Sequence, residues 1–115
     1  MADEQTAAAL DRLFAVIEAR KGADPDASYT AKLLAGGTPA ITAKITEEAA
    51  ETVAAALGEG RDALTRESAD LLYHLCVLWA DQGIRPQDVW AELAHREGTS
   101  GLVEKASRGG IRSEE

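Results

Sequence analysis

Thr38–Gly83 reads TPAITAKITEEAAETVAAALGEGRDALTRESADLLYHLCVLWADQG, and this stretch decides the fold. It is rich in strong helix formers and has no strand-like alternation. Thr38 followed by Pro39 is a start signal, a side-chain cap ahead of a proline tolerated at the first helical position. The helix that begins there should reach about Leu57 and end at Gly58 or Gly60. Asp62 or its neighbours begin another, running to about Gln82 with Gly83 as its C-terminal glycine.

The same two helices carry four acids in matched pairs, Glu48 with Glu51 and Glu67 with Asp70, in the pattern E-x-x-E then E-x-x-D. Each spacing puts two carboxylates one turn apart on one face. Lying antiparallel, the helices could bring all four together. At about 100° per residue, Ile41, Ile45, Ala49, Val53 and Ala56 fall on one side of the first, and Leu64, Leu71, Leu75 and Leu78 on one side of the second. The acidic stripes border these apolar faces, so the acids are expected to face one another across a groove beside the seam. Clustered like charges are costly unless a hard divalent cation neutralises them, and Mg²⁺ takes oxygen ligands of this kind while bridging phosphates. The pattern points to a metal-dependent enzyme acting on a phosphate ester or anhydride.

Outward from this centre, Leu10, Leu13, Phe14 and Ile17 have helical spacing and predict a first helix over about Thr6 to Lys21, ended by Gly22 and Asp24-Pro25-Asp26. Ser28 reads as the N-cap of a short second helix through Leu33 and Leu34, stopped by Gly36-Gly37. Pro86 opens a last helix carrying Val89, Trp90 and Leu93 and fading near Glu97. The expectation is an all-α bundle of about five helices over residues 1–98, with residues 99–115 as a partly mobile tail.

At 115 residues the chain is one small domain, and its aromatics are only 4% of residues, so completion of the bundle in a homodimer is expected. A net charge of −8 argues against nucleic-acid or membrane-surface binding, both of which need an attractive basic face. It leaves room for a small anionic nucleotide whose charge is offset by metal and placed cations. The longest uncharged apolar run, Leu71 to Ala80, is about half of the ~20 residues a membrane span needs. The single Cys76 excludes an intramolecular disulfide, and the N-terminal residues carry no signal-peptide core; a cytoplasmic location is expected.

Other residues admit a structural and a functional reading. Lys44, one turn before Glu47 and Glu48, is an intrahelical ion-pair partner or a phosphate contact. His74, one turn after Asp70, is a hydrogen-bonded structural histidine or a ligand, and Arg20-Lys21 complements a helix dipole or offers a cationic pair. Trp79 and Trp90 read as packing or interface residues, Tyr73 and Cys76 as core. There is no Walker-type loop, G-x-S-x-G or dinucleotide-binding fingerprint.

Arg20-Lys21, Ser28-Tyr29-Thr30, Gly37, Lys44 with Glu47-Glu48-Ala49 and Glu51, and Glu67 with Ala69-Asp70-Leu71-Leu72-Tyr73-His74 occur in an order that resembles the phosphoribosyl-ATP pyrophosphohydrolase family of histidine biosynthesis, within the MazG-like all-α nucleoside triphosphate pyrophosphatase superfamily. The resemblance runs from about Leu10 to Arg108. It implies cleavage of the α–β phosphoanhydride of phosphoribosyl-ATP, giving phosphoribosyl-AMP and pyrophosphate. It further implies Mg²⁺ held by Glu48, Glu51, Glu67 and Asp70, with Glu47 as the base or a second-metal ligand. Lys44 and the Arg20-Lys21 pair would contact phosphates, while Ser28, Tyr29 and His74 would contribute to the substrate pocket. Many members carry a basic residue immediately before the lysine; here that position is Ala43. Two alternatives stand beside this reading: a MazG-like pyrophosphatase for non-canonical nucleoside triphosphates, and a non-catalytic helical dimerisation module whose acids are surface charge.

Overall fold

The computed structural model describes residues 5–98, and all regular structure among them is helical. The helices are α1 (Ala8–Ala19), α2 (Tyr29–Gly58), α3 (Arg61–Gln82) and α4 (Pro86–Glu97). The expected all-α fold stands, with four helices where five were expected. The second and third expected helices run together as α2, joined at Gly37, where φ is 80° and ψ is −176°. Gly37 is non-helical, so the helical path is interrupted where the sequence predicts a stop, and the segments on either side meet there at a sharp bend. Pro39 costs little at the first turn of the segment beyond the bend, because its missing N–H would have had no helical partner there. The C-terminal tail anticipated over residues 99–115 lies outside the described residues.

Local punctuation follows the sequence closely elsewhere. Ser28 caps α2, its Oγ accepting from the backbone N–H of Ala31 at 3.1 Å. Gly83 ends α3 in the left-handed region (φ 74°), and the N–H of Ile84 reaches back to the carbonyl of Trp79 at 2.9 Å. Pro86 opens α4, while the Asp88 carboxylate accepts from the backbone N–H of Arg85 at 2.9 Å.

The segment of α2 beyond Gly37 packs antiparallel to α3. Thr38 meets Asp81 at one end, and Thr52 meets Glu67 fourteen residues along each helix. A straight α2 would carry Tyr29 past the end of α3; the bend at Gly37 instead folds residues 29–36 back, so that Tyr29 meets His74 and Thr30 meets Tyr73. At the far end, Thr38 Oγ1 donates to Asp81 Oδ2 at 2.6 Å, and Gln82 Nε2 donates to both groups at 3.0 Å.

The core joins Phe14 and Ile17 of α1, Leu33 and Ile41 of α2, and Cys76, Val77 and Ala80 of α3. Ile41 and Val77 are wholly inaccessible, and full burial of such a side chain stabilises by about 1.5–3 kcal/mol. The packing face differs from the helical-wheel expectation. Past Ile45, the buried positions of α2 are Glu48 and Ala55, while Val53 is 57% exposed and Ala56 is exposed. On α3 the buried positions are Ala63, His74, Cys76, Val77 and Ala80; Leu64, Leu71, Leu75 and Leu78 are only half-buried. Small side chains on the facing surfaces let the two helices approach along a different line. Glu48 consequently lies in the α2–α3 seam and Glu67 at its edge, while Glu51 and Asp70 stay exposed beside it. Among the described residues, no helix is long and apolar enough to cross a membrane.

Candidate metal centre

Glu48 from α2 and Glu67 and Asp70 from α3 each place a carboxylate oxygen within 4.8 Å of the others. Glu48 is only 7% exposed, Glu67 is half-buried and Asp70 is exposed, so the cluster runs from the seam out to solvent. Oε1 of Glu48 and Oε1 of Glu67 are both buried without a hydrogen-bond partner. A buried carboxylate oxygen without a partner is costly, and two of them converging with a third acid make a donor set suited to a hard divalent cation.

The electrostatics report the same tension. The Glu48 carboxyl is raised above the ordinary carboxylate range, first by desolvation and then by the charges of Glu51 and Asp70, with His74 and Lys44 pulling the other way. Glu67 is also raised, first by desolvation, then by a hydrogen bond with the Glu51 side chain and by the charges of Glu51, Asp70 and Glu48. Glu51 thus belongs to the cluster through its contact with Glu67, although it stands outside the tight group of three.

Around the acids, Lys44 Nζ lies 2.7 Å from Glu47 Oε1 and 3.8 Å from Glu48 Oε2. This contact holds Glu47 below the ordinary carboxylate range. His74 is 5% exposed, and both of its ring nitrogens are engaged. Nδ1 is 2.8 Å from the backbone carbonyl of Asp70, which can only accept, so Nδ1 carries the proton. In the neutral ring, Nε2 then accepts from the Tyr29 hydroxyl at 3.1 Å. The Tyr29 ring, 51% exposed, stacks on Tyr73 at a centroid distance of 6.3 Å.

A sequence model described as phosphoribosyl-ATP pyrophosphohydrolase matches residues 10–97, which include every element of this site. The chain belongs to that family. Among its curated relatives, a protein named phosphoribosyl-ATP pyrophosphatase from Paramagnetospirillum magneticum is 64% identical over 99 residues, covering 86% of this chain and 91% of its own length. Proteins of the same name from Azospirillum brasilense and Parvibaculum lavamentivorans are 58% identical over 106 residues and 60% over 103. They cover 92% and 90% of this chain and 96% and 94% of their own lengths.

Within this phosphoribosyl-ATP pyrophosphohydrolase family member, the residues singled out in the sequence separate into two groups. Glu48, Glu51, Glu67, Asp70, Lys44, Glu47, Tyr29 and His74 share one neighbourhood. Ser28 stands at its edge, with its side chain engaged as the α2 cap. Lys21 lies elsewhere: it pairs with Glu18 at 3.4 Å and lines a cleft of about 280 Å³ with Asp81. Asp81 is eleven residues on from Asp70 along α3, roughly 16 Å along the axis. Arg20 is exposed next to Lys21, and the fold of this chain does not bring the two to the acids. Thr52 was not singled out by the sequence reading, although its hydroxyl reaches both acid-bearing helices. Its one sequence signal is a lone hydroxyl inside an alanine-rich run, immediately after Glu51.

Proposed function

We propose that this chain hydrolyses phosphoribosyl-ATP to phosphoribosyl-AMP and pyrophosphate, the second step of histidine biosynthesis, in a Mg²⁺-dependent reaction at the α2–α3 seam. The observation that carries the metal part is the pair of buried, unpartnered oxygens on Glu48 and Glu67 beside Asp70. Glu48, Glu51, Glu67 and Asp70 would hold the ion. When bound, Mg²⁺ would neutralise phosphate charge and polarise the anhydride. Family membership and the names of relatives at 58–64% identity support the substrate.

The chain's own side chains have distinct parts in this reading. Lys44 turns from Glu47 to a substrate phosphate oxygen, which is a stronger anionic partner than one exposed carboxylate. Glu47, released from Lys44, accepts the proton of the attacking water at a carboxylate oxygen. Tyr29, its hydroxyl steadied by His74, offers an exposed ring to the nucleotide. Arg20 and Lys21 reach only a remote part of the substrate, or a substrate seated across two protomers. A homodimer suits the apolar surface left open at Val53, Leu57, Leu72 and Leu93, all more than 45% exposed. A cytoplasmic location suits a lone Cys76 whose thiol burial pushes up to about 11.

Pyrophosphate release from phosphoribosyl-ATP, with and without Mg²⁺, tests this reading in the wild type and in Asp70→Asn. Activity requiring Mg²⁺ and lost in the variant is expected. Equal turnover of a panel of deoxynucleoside triphosphates would overturn the substrate assignment, and undiminished activity in EDTA would overturn the metal.

A further inference from the structure

Thr52 stands between the two acidic pairs. Its Oγ1 is 2.8 Å from the backbone carbonyl of Glu48, one turn back on α2, and 3.3 Å from the backbone carbonyl of Glu67 on α3. The first contact alone says little, because helical threonines commonly bond back to the fourth carbonyl before them. The second crosses the seam. A hydroxyl has one hydrogen, which can be directed to either carbonyl or shared between them, and both carbonyls belong to residues assigned here to the metal.

We propose that Thr52 is a positioning residue for the metal centre, its hydroxyl fixing the register of Glu48 against Glu67. This inference rests on the metal reading given above. The carboxylates of Glu48, Glu67 and Asp70 crowd within 4.8 Å of one another, and one oxygen each of Glu48 and Glu67 is buried without a partner. Relative sliding or separation of α2 and α3 would relieve the repulsion by parting the carboxylates. Thr52 resists the movement at the level of the acids, whereas the Thr38–Asp81–Gln82 cluster lies fourteen residues away along each helix. A shift of about 1 Å is enough to spoil a first coordination shell, and groups that orient metal ligands commonly govern affinity by 10–100-fold.

The substitution Thr52→Val keeps the branched shape and removes only the hydroxyl, while both carbonyls retain their helical N–H partners. Thr52→Ser keeps the hydroxyl and removes the methyl. The test measures Mn²⁺ binding by electron paramagnetic resonance on the full chain, alongside urea unfolding in EDTA. We expect Thr52→Val to weaken Mn²⁺ binding about tenfold while its metal-free unfolding midpoint stays near that of the wild type. Thr52→Ser should bind within about twofold of the wild type. Wild-type affinity in Thr52→Val would overturn the inference, as would equal weakening in Thr52→Ser, which would assign the effect to packing. A wild-type chain that takes up no Mn²⁺ would instead overturn the metal reading beneath it.

Discussion

Glu48 and Glu67 meet across the α2–α3 seam, each with one carboxylate oxygen buried and unpartnered. Helices that would otherwise close on small side chains are held at the acids by groups that repel one another. Metal-free protein should therefore carry a pH-dependent strain. Both carboxyls are raised in the folded chain, so between the unfolded value near 4.3 and the raised folded values the native state binds more protons. Their contribution to stability is full below that window and is lost as pH rises through it. Glu47, Asp81 and Asp88 are lowered and act in the opposite sense, so the informative quantity is a difference between proteins. Urea midpoints in EDTA should fall more steeply with rising pH for the wild type than for Glu48→Gln. At pH 7 without metal, Glu48→Gln should be the more stable of the two.

Mg²⁺ should reverse that order. Saturating Mg²⁺ stabilises a folded protein by mass action, by about 2.7 kcal/mol at a hundred times the dissociation constant. Thermal midpoints should rise with Mg²⁺ for the wild type and stay nearly fixed for Glu48→Gln and Asp70→Asn. Turnover in either variant should drop by about 100-fold or more, since ligands matter at least as much as the groups that orient them. A Mg²⁺-dependent midpoint in Asp70→Asn equal to that of the wild type would remove Asp70 from the site.

Tyr29→Phe removes the hydroxyl that His74 accepts and leaves the ring stacked on Tyr73. The stability cost should be about 0.5–1.5 kcal/mol, the net value of one partly exposed hydrogen bond. His74→Ala should cost about 2–4 kcal/mol, because it empties a buried site and also leaves the Tyr29 hydroxyl without its ring acceptor. Chemical denaturation of both variants checks the ordering, and equal costs would show that the pair does not act as drawn.

Gly37→Ala should be strongly unfavourable, since φ 80° with ψ −176° is a region reserved for glycine. A loss of about 1–3 kcal/mol is expected by thermal unfolding. Gly58→Ala is the matched control: it lies in the helix, and an added Cβ meets nothing within 4 Å. That substitution should stabilise by about 0.4–1 kcal/mol.

Val53→Lys tests the apolar surface of α2. In a dimer closed through that face the substitution should shift the sedimentation profile toward monomer, and in a monomeric protein it should be silent because the side chain is 57% exposed.

Much of this was legible in the sequence, and the exceptions have physical causes. Ser28, Gly83 and Pro86 act through local backbone geometry, so their effects on the chain ends could be read residue by residue. The acid pairs were legible because helical spacing alone puts each pair on one face. The packing face was not. Around Ala49 to Ala56 the helix is apolar on nearly every side, so a 100° periodicity has no single direction, and the larger residues were assigned inward. Only the close approach of α2 and α3 turns Glu48 and Ala55 in and leaves Val53 out. The interruption at Gly37 was legible because glycine alone tolerates such a backbone; the direction of the bend was not, since it follows from the returning contacts of Tyr29 and Thr30 on α3. Thr52 escaped notice because its second acceptor lies on another helix.

A metal site at the main helix–helix contact would also link occupancy to lifetime. A seam loosened by uncompensated charge opens more often, and cleavage by proteases follows the population of such open forms. Limited proteolysis should therefore proceed faster in EDTA than in Mg²⁺, with the earliest cuts near the Gly58–Gly60 link between the two acid-bearing helices. In a cell short of the ion, the protein would be cleared rather than stored idle.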